Sequence, residues 1–357
     1  MMDAVNLLEL EQLARGVMDP AVFAYVAGGA GDERTMVDNR AAFARRRIEP
    51  RVLRGLGAVD LTADVLGGRL AMPVLVAPMA HQGLVHPQGD LGPARAAAAA
   101  GAGYCLSCLA NHGLEEVAAA GAGGVLWAQL YPFRDEGQTR EHIARAVAAG
   151  YGALVVTVDV QAYGLRERDI RAAAALDMGA LTLPCVPLAA GRTEPIPAAE
   201  AGEHMKFDLS WDDVGAIVAA APVPVVLKGI IAAGDARLAA ECGAAGVVVS
   251  NHGGRQLDGV TASLDALPAV AEAAGDALEV YLDGGVRRGT DVLLALALGA
   301  RACLVGRPIS YANALGGAEG VAAALGMLRA EIENALLLAG CGSAAEVGPS
   351  IVGSAIV

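Results

Sequence analysis

The chain has 357 residues, a formal net charge of −13, and a composition that is 55% hydrophobic but only 4% aromatic. That length suffices for one large α/β barrel or two ordinary domains. The acidic balance argues against a nucleic-acid partner, which needs a basic field, but leaves room for small anions bound by local arginines.

In chain order, residues 1–60 predict an N-terminal helical segment that includes YVAGGAGDERTMVDNRAAF and runs into the basic connector RRRIEPRVLRG. Its acidic, amphipathic opening lacks the basic and apolar regions of a signal peptide. Eight short apolar runs follow: PVLVAP (73–78), YCLS (104–107), GVLWAQLY (124–131), ALVVTVD (153–159), VPVVLKG (223–229), GVVVSN (246–251), EVYLDGG (279–285) and ACLVGRP (302–308). Each is nearly continuous in apolar residues, the pattern of strands buried on both faces. Between them, Ala-rich segments closed by glycine, such as TREHIARAVAAG and GTDVLLALALGA, read as helices.

Eight strands alternating with helices is the count of a (β/α)8 TIM barrel. An open doubly wound sheet would need a Gly-rich turn after its first strand, and VLVAPMAHQG has no G-x-G-x-x-G. The expected organisation is a single α/β domain over 1–357, with the barrel over 61–340 and a long, lid-like loop over 170–210 after the fourth strand. No apolar run approaches the roughly 20 residues of a bilayer-spanning helix, so no membrane partner is expected. The six scattered cysteines suggest reduced thiols in a cytoplasm. Cys105 and Cys108 form a C-x-x-C, but no second pair or ligand histidine stands at metal-binding spacing, so no metal is expected.

In a TIM barrel, chemistry sits at the C-terminal ends of the strands. Here those ends carry Gln129 and Tyr131, Thr157 and Asp159, Lys228, Ser250 with His252 and Arg255, Asp283 with Gly285 and Arg287, and Gly306 with Arg307. Taken singly, an Asp or Lys at a strand end reads equally well as half of a structural ion pair. Their convergence on one rim favours a site. DGGVRRG and VGRP follow strands seven and eight, where barrels commonly hold a phosphate. Lys228 is placed to stabilise a negatively charged ring. His252 is the natural general base, with Asp159 to orient its imidazole. Arg166 and Arg255 could clamp a carboxylate.

SNHGGRQLDG (250–259) resembles the signature of the FMN-dependent 2-hydroxy acid oxidising enzymes, which include glycolate, lactate and mandelate oxidases. YVAGGAGDERT, APMA, HPQGDLGPARAA, QLY, TVD, RERDIR, LKGI, LDGGVRRGTDVLLALALGA and VGRP fall in the family's order, over roughly residues 10–342. The short C-terminal tail is similar to that of actinobacterial 4-hydroxymandelate oxidases in particular. The resemblance implies FMN as cofactor, oxidation of an L-2-hydroxy acid to a 2-oxo acid, dioxygen as acceptor with hydrogen peroxide released, and a homo-oligomer, a tetramer by resemblance. It implies that Ser107, Gln129, Thr157 and Ser250 hydrogen-bond the flavin and that Lys228 lies at its N1/O2 edge. Backbone from Pro78 through Met79 to Ala80 would lie against the N5 side. Asp283, Gly285, Arg287, Gly306 and Arg307 would bind the phosphate end. Tyr25, Arg166 and Arg255 would hold the substrate carboxylate, and Tyr131 its hydroxyl region. His252, paired with Asp159, would be the base, taking either the α-proton or the hydroxyl proton.

Several positions depart from the family pattern. Gln161 replaces a Pro after TVD-x, Met79 a Thr or Ile, and Ala172–Ala175 an Asn-x-Phe. They concern the substrate's side chain and the lid, and a pocket formed by Leu109, Ala162 and Met79 would admit a large substrate. Two rivals are a dehydrogenase that passes electrons to a quinone or protein, and a flavin-binding barrel without turnover. Ala80 weakly favours the oxidase.

Overall fold

The computed structural model describes residues 4–188 and 192–353. Its centre is a closed, all-parallel barrel whose strands pair in sequence order. They are β1 (Val74–Val76), β2 (Gly103–Leu106), β3 (Leu126–Leu130), β4 (Ala153–Thr157), β5 (Val225–Ile230), β6 (Gly246–Val249), β7 (Glu279–Asp283) and β8 (Ala302–Val305). Every strand coincides with an apolar run expected to form one, with Gly103 and Ile230 each one residue beyond it, because a strand covered by helices outside and side chains inside has no polar face.

Alternate side chains along each strand face the barrel axis. Leu75, Cys105, Trp127, Val155, Val226, Val248, Tyr281 and Leu304 meet there in a cluster of their own, separate from the layer between strands and helices. A hairpin, Ala63–Val65 with Gly68–Leu70, plugs the N-terminal end of the barrel. The Trp127 indole N–H donates to the Leu66 carbonyl (2.8 Å), and the Leu66 N–H donates to the Tyr281 hydroxyl (3.1 Å). The C-terminal end stays open.

The N-terminal segment is less helical than expected. It forms α1 (Glu9–Arg15), α2 (Pro20–Ala27) and α3 (Arg34–Ala44), and from there to the plug hairpin only Arg47–Ile48 is regular, pairing with Val352–Gly353. Within the stretch expected to be helical, the chain leaves the helix at Gly28–Glu33, where Gly31 and Glu33 adopt positive φ. Asp19 caps α2 by accepting from the N–H groups of Ala21 and Val22, with Pro20 at the first helical position. Asp258, from the loop after β6, accepts from the N–H groups of Arg34 and Thr35 at the start of α3. Asn39 of α3 and Asn251 exchange reciprocal 2.8 Å hydrogen bonds. Both contacts tie the N-terminal helices to the rim of the barrel.

The connection after β4 is structured rather than a bare loop. It contains a helix (Glu167–Ala172), single 3-10 turns, and a two-stranded ribbon of Thr182–Leu183 with Ile196–Pro197. Residues 189–191, within the expected loop, lie outside the described residues. Among the described residues, no helix is long and apolar enough to cross a membrane.

Candidate active site

The inward-facing pattern continues past the strand ends. Two residues beyond the apolar interior layer stand Ala77, Ser107, Gln129, Thr157, Lys228, Ser250, Asp283 and Gly306. The polar ring is therefore the top layer of the barrel interior, and the pleat of the strands aims it. Above it lies a cavity of about 420 Å³, within the range of small-molecule sites. Every candidate catalytic, cofactor-binding and carboxylate-binding residue lines it except Asp159 and Ser250. Those two line a second cavity behind the first.

The polar side chains of the ring are hydrogen-bonded or ion-paired to one another in two groups. Ser107 Oγ donates to Gln129 Oε1 (3.3 Å), and Gln129 Nε2 donates to Thr157 Oγ1 (3.1 Å). Lys228 Nζ lies 3.1 Å from Asp283 Oδ2 and donates to Ser250 Oγ, also at 3.1 Å. Burial opposes the Lys228 charge, but Asp283 and Asp159 outweigh it and hold its pKa above the ordinary value. Ser250 Oγ also accepts from the His252 N–H. Ser250 thus links the Lys228 side chain to the backbone of His252. Asp283 pairs with Lys228 through Oδ2, and its Oδ1 is left without a partner among the described residues.

His252 Nδ1 lies 3.0 Å from Asp159 Oδ1. Burial lowers the His252 pKa, with help from Lys228 and Arg166, and Asp159 only partly restores it. The imidazole is consequently neutral at neutral pH, with Nε2 left to meet a ligand. At Asp159, burial works against the carboxylate, yet His252 and Lys228 prevail and hold its pKa below the usual range. Gly229 allows this approach: its φ is +116°, and a Cβ there would stand 2.6 Å from Asp159 Cβ. Gln256 ties the elements together. Its Nε2 donates to the Asp159 and Ala162 carbonyls (both 2.8 Å), while its Oε1 accepts from Arg166 Nη2 (3.1 Å).

The arginines meet at the C-terminus of α2, whose free carbonyls attract cations. Arg255 Nη1 donates to the Tyr25 and Gly28 carbonyls, and Arg307 donates to those of Val26, Gly28 and Gly253. Asp169 stands between the two carboxylate-clamp candidates, 3.2 Å from Arg255 Nη2 and 3.5 Å from Arg166 Nη1. Burial, then the neighbouring Arg255, pulls the Arg307 pKa down to about 10. Burial also lowers that of Arg287, whose guanidinium donates only to the adjacent Val286 carbonyl among the described residues.

Among the described residues, five cations (Arg166, Lys228, Arg255, Arg287 and Arg307) line this cavity against one carboxylate, Asp283. In a chain of net charge −13, that local excess calls for an anionic ligand. The chain matches the FMN-dependent dehydrogenase family over residues 14–354. It belongs to that family. The L-lactate oxidase of Nostoc sp. is 44% identical, over 98% of each chain. The 4-hydroxymandelate oxidase of Amycolatopsis orientalis is also 44% identical, over 96% of each. A crystal structure of mandelate oxidase with (S)-4-hydroxymandelic acid superposes with a TM-score of 0.90 at 42% identity, covering 99% of this chain and 100% of that one. This member of the FMN-dependent dehydrogenase family is thus an FMN-dependent 2-hydroxy acid oxidising enzyme on a (β/α)8 barrel.

The cavity fits the cofactor: its cation excess matches a phosphate, and Asp283 Oδ1 is buried without a partner at the ring end. Other features were not read from the sequence. Ala162 faces the second cavity, so it does not join Leu109 and Met79. Gln256 and Asp169 lay within quoted motifs, but their partners come from separate loops. His81 also lines the cavity, and nothing in its sequence context marks it. The C-x-x-C thiols are free and buried, and burial pushes the Cys108 thiol up to about 12, which leaves it protonated and unreactive. Among the described residues, no three His, Cys, Asp or Glu side chains converge as a metal site.

Proposed function

We propose that this enzyme oxidises an L-2-hydroxy acid to the 2-oxo acid and passes the electrons to dioxygen, giving hydrogen peroxide. The observation that carries the reading is His252, held by Asp159 on one side and open on the other to a cavity lined by Arg166 and Arg255.

FMN, when bound, supplies the two-electron acceptor. Ser107, Gln129, Thr157 and the Pro78–Ala80 backbone would hold its ring. Lys228, kept charged by Asp283, would stabilise negative charge at the ring edge. Arg287, Arg307, Gly285 and Gly306 would hold its phosphate, with the helix that starts at Arg307 adding its N-terminal dipole. Arg166 and Arg255, with Tyr25, bind the substrate carboxylate and fix the α-carbon. Tyr131 lines the hydroxyl side. His252 Nε2 accepts one proton from the substrate, and Asp159 stabilises the imidazolium that results. The segment after β4 closes the cavity through Tyr163, Met178, Ala201 and Gly202. Met178, Ala201 and Gly202 leave apolar room that supports a substrate bulkier than glycolate. Val52 and Leu53, 78% and 100% exposed, support a homo-oligomer that covers them.

The test is anaerobic mixing of holoenzyme with glycolate, L-lactate and L-mandelate, followed by air. Loss of the flavin absorbance and its rapid return in air, with peroxide formed, is expected. Loss without return identifies a dehydrogenase, and no loss with any acid overturns the reading. In His252→Ala, bound FMN should persist while reduction falls about 10²–10⁴-fold.

A further inference from the structure

His81 breaks two local rules at once. It is a non-glycine residue at φ +57°, in a left-handed region that costs a side chain of order 1 kcal/mol or more. It is also only 5% exposed, and its Nδ1 is sealed from solvent with no hydrogen-bond partner among the described residues. An unpaired buried polar group costs a further 1–3 kcal/mol or so. A residue that carries both penalties is the expected mark of a functional position. The other histidine at positive φ is His252, the base.

The surroundings hold His81 in this state. Its N–H donates to the Leu109 carbonyl (3.1 Å), which binds the end of β1 to the loop after β2. Its ring lies 6.1 Å from that of Tyr25, tilted by 46°. Burial alone pulls its pKa down to about 4, so the ring is neutral, with one N–H donor and one acceptor nitrogen. Proton transfer is assigned to His252 and carboxylate binding to the arginines, so the reaction itself leaves His81 unused. Leu109, Val160, Met178 and Ala201 line the same cavity and bring no side-chain hydrogen-bonding group. Nδ1 is as closed to a ligand as to solvent, so the nitrogen left to meet one is Nε2, which is not sealed and makes no hydrogen bond among the described residues.

We propose that His81 determines specificity by hydrogen-bonding a polar group on the substrate's side chain, so that hydroxylated 2-hydroxy acids are preferred over their unsubstituted counterparts. A hydroxyl both donates and accepts, and so suits either tautomer. A site built to bond a hydroxyl rejects the analogue lacking it far more strongly than an apolar pocket separates homologues. The inference rests on the oxidase reading above and deepens it.

The test measures kcat/KM of the holoenzyme on three matched pairs of increasing length: glycerate and lactate, 4-hydroxymandelate and mandelate, 4-hydroxyphenyllactate and phenyllactate. In at least one pair, the hydroxylated acid should be favoured tenfold or more. His81→Leu should bring that ratio to near one, and His81→Asn, which tolerates the left-handed backbone and can still hydrogen-bond, should keep most of it. Ratios within one enzyme cancel any loss of folded protein, and bound FMN reports the fold of each variant. No preference in any pair, or a preference that survives His81→Leu, overturns the inference while leaving the oxidase reading intact. Failure of every acid to reduce the flavin overturns both.

Discussion

His252 reaches its place at φ +57°, with Ser250 beneath its N–H and Asp159 against its ring. These contacts give the pH dependence its sign. Burial sets the His252 pKa below its ordinary 6.5, and Asp159 is the group that pulls it upward. The neutral form is the base, so activity is full above this pKa and is lost as pH falls through it. The acid limb of kcat/KM should lie below pH 6.5 in the native enzyme and move further toward acid in Asp159→Asn. The same variant should lose about 10²–10⁴-fold in kcat, since the imidazolium loses its counterion. A pH–rate profile of both enzymes checks the pair, and an unshifted limb would remove Asp159 from this role. Most of the site was legible at this scale, because strand ends of a barrel advertise their polar residues. Ser250 and Asp283 stand at the rim as expected, but their contacts with Lys228 and the His252 backbone were not legible, since a motif shows where a side chain stands and not what lies beneath it.

At the scale of elements, the segment after β4 owes its shape to contacts with the helix Glu136–Ala148 and its neighbours. Gln138 Nε2 donates to the Pro187 carbonyl (2.6 Å), His142 Nδ1 lies 2.9 Å from the Cys185 carbonyl, and Arg145 Nη1 donates to the Pro184 carbonyl (3.1 Å). Gln138 is buried, so Gln138→Leu should leave the Pro187 carbonyl unpaired at about 1–3 kcal/mol. That cost falls on the segment and not on the barrel. The expected result is faster limited proteolysis between residues 176 and 200, a higher KM and unchanged FMN affinity. Slower turnover through lost FMN would contradict it. The sequence marked this stretch only as long and rich in Ala, Pro and Gly, because its order comes from side chains on other elements. The break at Gly28–Glu33 was missed for a similar reason: Asp258, far along the chain, supplies the start of α3.

Across the whole molecule, charge is divided between an acidic exterior and a cationic cavity. Arg287 is the least compensated of the cavity's guanidiniums, with one carbonyl acceptor and a pKa lowered by burial. Its contribution should change sign with the cofactor. Arg287→Met should weaken FMN binding about 10–100-fold, the loss expected for a charge-assisted hydrogen bond. In FMN-free protein, the same change should raise Tm, because an enclosed, unmatched charge is removed. Thermal unfolding with and without FMN measures both effects, and a fall in Tm of the FMN-free protein would refute the charge argument. Added FMN stabilises by preferential binding to the folded state, so the gain in Tm on adding it should shrink in the variant.

The sequence by itself determined the barrel, its strand order and the rim, because buried parallel strands and glycine-closed helices follow local periodicity, and the rim follows from where strands end. Tertiary structure alone decided which side chains meet. The Gln256 bridge, Asp169 between two arginines, the plug hairpin beneath Trp127 and the unpartnered ring of His81 all join residues from separate elements. Local pattern carries the position of a residue within its element, whereas a contact depends on how distant elements pack.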